Sequence, residues 1–116
     1  MDSLTKAQRR ELRLAASRVE EADCRRALSE LAAAFDDWRE GKMSSIELHQ
    51  RVHSFHRGPG LELFQRYTSL GPREIVALGI ARGLLDESVL SAGLRAELHT
   101  AVEALRSLQV QSVPPG

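Results

Sequence analysis

Residues 12–38 read LRLAASRVEEADCRRALSELAAAFDDW. Leu12, Ala15, Ala16, Val19 and Ala22 recur at helical spacing and share one face. Leu28, Leu31, Phe35 and Trp38 recur at i, i+3, i+7 and i+10 and share a second face. At about 100° per residue the two stripes lie about 150° apart on a continuous helix. A straight helix can bury only one of them in one small core. Either the chain turns near Glu20-Glu21-Ala22-Asp23, or one long helix reaches two different neighbours. The first reading needs no partner, and the second predicts a dimer. Leu12, Val19 and Trp38 are the partner-binding candidates, the last as an aromatic interface anchor.

The rest of the chain repeats this helical character. Ala, Leu, Arg and Glu are frequent, no β-branched run occurs, and no stretch alternates with period 2. The fold class is all-α, as a compact single-domain bundle of five or six helices over residues 1–110, with a flexible tail at 111–116. Gly41 stops the first helical region, which starts near Leu4. Ser44 and Glu47 form a capping box, and Met43 with Leu48 a hydrophobic staple, so a helix runs from about Ser45 to Arg57. Gly58-Pro59-Gly60 ends it, and a short helix follows over about Leu61 to Ser69.

Pro72 opens a further helix expected to reach Leu85, apolar almost all round and hence central. Gly79 and Gly83 would let neighbours come close to it. Asp86 caps a short turn, Gly93 marks a bend, and the last helix covers about Leu94 to Val110. The expected core is Leu28, Leu31, Phe35, Leu48, Val52, Phe55, Phe64, Ile75, Leu78, Leu98, Val102 and Leu105.

Composition narrows the function classes. Sixteen basic residues balance sixteen acidic ones, which argues against a protein built mainly to coat nucleic acid. No apolar run reaches the length of a membrane span, and the first residues lack the apolar stretch of a secretory signal. The single cysteine, Cys24, excludes an intrachain disulfide and favours a reducing, cytoplasmic setting. No phosphate-cradling glycine loop and no nucleophile–base pattern is legible, and no cofactor is expected.

Three constellations carry chemistry. His49, His53 and His56 stand at i, i+4 and i+7, within about 60° on a helix, and neutral imidazoles so placed are candidate metal ligands. Lys6, Arg10 and Arg13 line one side of the first helix and are candidate nucleic-acid contacts; the alternative is a solvated face balanced by Glu20, Glu21 and Asp23. Asp36, Asp37 and Glu40 crowd a helix C-terminus, where the dipole disfavours them, and so fit a basic partner or plain solvation.

Two short patterns resemble known families. Arg51-Val52-His53-Ser54-Phe55-His56 resembles the Arg-x4-His signature of HEPN ribonucleases, which are all-α and usually dimeric. The resemblance implies that His56 acts as acid/base on a ribose hydroxyl and that Arg51 holds the phosphate. Leu70-Gly71-Pro72-Arg73-Glu74 with Ala81-Arg82-Gly83-Leu84 resembles the opening of a LuxR-type helix-turn-helix, one residue short, and implies DNA binding. The helix after it carries a core stripe, where that family needs a polar recognition face. The leading expectation is a small cytoplasmic protein-interaction module, a regulatory or accessory subunit that pairs with another protein or a second copy of itself.

Overall fold

The computed structural model describes residues 4–112, with side chains through residue 109. The chain is all-α, with no strand among the described residues. Its elements are α1 (Lys6–Arg39), α2 (Ser45–Arg57), α3 (Pro59–Ser69), α4 (Pro72–Ala81), a 3-10 turn (Glu87–Val89) and α5 (Ala92–Ser112). They do not match five or six independent rods one for one: Gly58 alone separates α2 from α3, and the 3-10 turn is three residues long.

α1 is a single helix of 34 residues, so the turn considered near Glu20–Asp23 does not form. Its start carries a signal that the sequence reading passed over. Thr5 Oγ1 accepts from the Gln8 N–H at 3.0 Å while Gln8 Oε1 accepts from the Thr5 N–H at 2.9 Å, a reciprocal cap. Its end is set by Gly41, at φ +77°, with the Lys42 N–H donating to the Asp37 carbonyl at 2.8 Å. α4 stops by the same device. Gly83, at φ +75°, lets the Leu84 N–H reach the Gly79 carbonyl at 2.8 Å, so the helix ends at Ala81, short of the expected Leu85. Gly83 is therefore a terminator and not a point of close approach.

α2 begins as expected, with Ser44 Oγ accepting from the Glu47 N–H at 3.1 Å. α3 begins two residues before Leu61, because Pro59 has the backbone angle of a first helical residue. Asp86 caps the 3-10 turn by accepting from the Ser88 N–H at 2.9 Å. Gly93 lies inside the first turn of α5 and not at a bend. α5 continues through Ser112, and the remainder of the expected tail lies outside the described residues.

Contacts divide the chain into two compact units. The first comprises Met1–Ala22 with Leu70–Gly116. Its core is Leu12, Ala15, Ala16 and Val19 of α1 with Ile75, Val76, Ala77 and Ile80 of α4, Leu90, and Leu94, Leu98 and Val102 of α5. Val19, Val76 and Leu94 are fully buried, each stabilising by about 1.5–3 kcal/mol. Gly79 permits this packing: a Cβ there would stand 2.6 Å from Cγ1 of Val19 and closer still to Cγ2.

The second unit is Asp23–Ser69. Among its apolar residues only Ala34 and Leu48 are buried. Of the core expected there, Leu31, Phe35 and Phe55 are half-buried, while Leu28, Val52 and Phe64 are exposed. The physical reason is that α1 uses small and polar side chains, Ala34 and Asp23, where large apolar ones were expected.

Candidate functional site

The partner-binding candidates separate. Leu12 and Val19, at 4% and 1% exposure, are consumed by the first unit's own core and offer nothing to a partner. Trp38 stays 39% exposed, packed edge-to-face on Phe35 at a centroid distance of 6.4 Å, with its Nε1–H donating to Ser45 Oγ at 2.9 Å. That hydrogen bond ties the end of α1 to the first residue of α2, and it fixes the ring's edge while leaving part of its face in water.

Trp38 has company in the second unit. Phe64 is 68% exposed, Ile46 73% and Leu28 52%, and Leu61, one turn before Phe64 on α3, is exposed as well. Seven acidic and seven basic residues lie between Asp23 and Ser69, so this apolar surface sits on a unit without net charge.

Where the apolar core is thin, a buried polar network does the fastening. Asp23, on α1, is 4% exposed. Its Oδ2 accepts from Arg66 Nη1 at 2.6 Å and from the Tyr67 hydroxyl at 2.7 Å, both on α3. Burial pushes the Tyr67 phenol far above its usual range, and the adjoining Asp23 carboxylate pushes it further. The pairing spans more than forty residues of sequence, so no local motif announces it. One signal was present: Asp23 stands four residues after Val19, where the apolar stripe would continue.

The histidines do not assemble. His49, His53 and His56 are all exposed, and among the described residues no three His, Cys, Asp or Glu side chains are placed to hold one metal ion. Arg51 and His56 are also exposed. Arg51 lines a cleft of about 260 Å³ with Ala27, Glu30, Ala34, Ser54 and Phe55, and His56 is not part of its wall.

Lys6, Arg10 and Arg13 lie on one exposed side of α1, around an open concavity of about 610 Å³ shared with Ala7, Glu11 and Leu14. Glu11, part of that wall, is also held by Ser91, with Oε2 accepting from the Ser91 N–H and Oε1 from the Ser91 hydroxyl, each at 2.8 Å. Asp36, of the acidic group near the end of α1, pairs with Arg39 at 3.2 Å, and Glu40 pairs with Lys42 at 2.8 Å. The helix-turn-helix pattern falls on α4, whose Ile75, Val76, Ala77, Gly79 and Ile80 are buried. The exposed side of the α5 helix that follows joins acidic Glu97 and Glu103 to Arg95 and His99. No helix of the described residues is long and apolar enough to cross a membrane. Comparison with known proteins finds no matching family model, no matching curated protein and no matching solved structure.

Proposed function

We propose that this chain is a protein-interaction module, a regulatory or accessory subunit, and that its Asp23–Ser69 unit is the surface by which two copies associate. The observation that carries the reading is the imbalance in that unit: two apolar side chains buried, against Leu28, Trp38, Ile46, Val52, Leu61 and Phe64 exposed. Phe64 and Trp38 alone leave roughly 200 Å² of aromatic surface in water. Covering that area would contribute about 5 kcal/mol. The unit's zero net charge removes the repulsion that would oppose a second copy. A cytoplasmic location accompanies this reading, because one cysteine allows no intrachain disulfide.

Size-exclusion chromatography with light scattering tests it. The native chain should pass from 12.9 kDa towards twice that mass between about 1 µM and 1 mM, the range of weak dimers. The Leu61→Ser, Phe64→Ser double variant should stay at the lower mass with its helix content intact. A native chain that remains at 12.9 kDa throughout overturns the homodimer.

A further inference from the structure

We propose that the exposed side of α1 formed by Lys6, Arg10 and Arg13 binds the phosphate backbone of nucleic acid without regard to sequence. This inference uses the first unit and stands apart from self-association through the second. Residues 6–18 hold five basic side chains and one acidic one. The protein's neutral total says little about this stretch, because charges beyond about 10 Å are screened at ordinary salt.

Within the row the single acidic side chain is hydrogen-bonded elsewhere, and the exposed Glu20 and Glu21 lie about 10 Å or more of helix axis past Arg13. Glu11 has both carboxylate oxygens engaged by Ser91. Asp23 is buried and held by Arg66 and Tyr67. The charged groups of Lys6, Arg10 and Arg13 make no ion pair or hydrogen bond with any described residue. Their i, i+4, i+7 spacing places the three charges within about 60° of one another and along about 10 Å of helix axis.

Phosphate chemistry fits this face better than the other polyanions do. Two of the three cations are guanidinium groups, whose planar fork meets phosphate oxygens in pairs. Duplex nucleic acid offers one charge per ~1.7 Å, dense enough to engage all three cations at once. A membrane surface would need a broad apolar face to insert, and the only apolar residues among the charges are Ala7 and Leu14. Leu14, which is largely exposed, is left to pack against sugar edges.

Fluorescence anisotropy of labelled duplex DNA, duplex RNA and single-stranded DNA, each of arbitrary sequence, provides the test. Three phosphate contacts give a slope of log K against log salt near −2.7 on duplex DNA, a loss of ~40-fold between about 50 and 200 mM salt, and near −2.1 on a single strand. The Lys6→Gln, Arg10→Gln, Arg13→Gln triple variant should lose binding at low salt with an unchanged helical spectrum, and Arg10→Glu alone should weaken it at least tenfold. Arg95→Gln, an exposed change on α5, should bind as the native chain does. Binding to any of the three nucleic acids with its expected slope supports the proposal. Absence of binding to all three at about 50 mM salt overturns it. So does a triple variant with the native slope, or binding to phosphatidylserine vesicles with no binding to nucleic acid.

Discussion

Removing the Asp23 carboxylate tests how the second unit is held together. Asp23→Ala leaves the Arg66 guanidinium and the Tyr67 hydroxyl facing a vacated, buried position. Breaking a buried ion pair from one side costs about 3–5 kcal/mol. The Arg66 side chain is 25% exposed and recovers some hydration, which places the loss near the lower end, about 3 kcal/mol. Tyr67→Phe removes one hydrogen bond and leaves the ion pair in place, so it should cost about 1.5 kcal/mol. Because the two changes share one acceptor oxygen, the double variant should fall short of their sum by about 1 kcal/mol. Urea unfolding followed by the fluorescence of Trp38, the only tryptophan and a member of the same unit, measures all three losses. Hydrogen exchange adds location: protection should drop over 59–69 and stay level over 92–112. A loss below about 1 kcal/mol for Asp23→Ala, or equal loosening of α5, would refute a fastening role for this network.

Two further outcomes follow from the packing and the titration. Gly79→Ala gains about 1 kcal/mol of helix propensity but drives a methyl into the stiff, branched Val19, so it should destabilise by about 1–2 kcal/mol net; thermal melts should show the Val19→Ala, Gly79→Ala pair more stable than the two losses added together. Tyr67 is the only tyrosine, so phenolate absorbance reports it alone. Its folded pKa lies above the unfolded value of about 10, hence its contribution is complete below pH 10 and is lost as pH rises beyond it. Absorbance should therefore rise together with alkaline unfolding, and a phenolate that forms while the helical spectrum is intact would contradict its burial against Asp23.

Much of the fold was legible because its signals are local. The Ser44–Glu47 box, the Pro72 start, the Asp86 cap and the glycine at Gly41 each act within a few residues. The course of α1 was not legible from its large apolar residues alone. Counting only those makes the second stripe look like a core face, whereas Ala34 and Asp23 are what α1 buries there. A small side chain and a charged one carry no weight in a hydrophobic pattern, and the partners of Asp23 lie on α3, far along the sequence. The candidate surfaces were legible in kind but not in membership. Trp38 and the Lys6, Arg10 and Arg13 row remain exposed, while Leu12 and Val19 are buried. Nothing in the sequence alone said that Ser91 would donate to both carboxylate oxygens of Glu11.

Hydrogen exchange of the native chain at two protein concentrations tests the central claim most directly, because it locates any association as well as detecting it. The account predicts that amides over 59–69, behind Leu61 and Phe64, exchange more slowly in the concentrated sample while those over 92–112 keep their rates. Equal rates at both concentrations throughout 23–69 would contradict it.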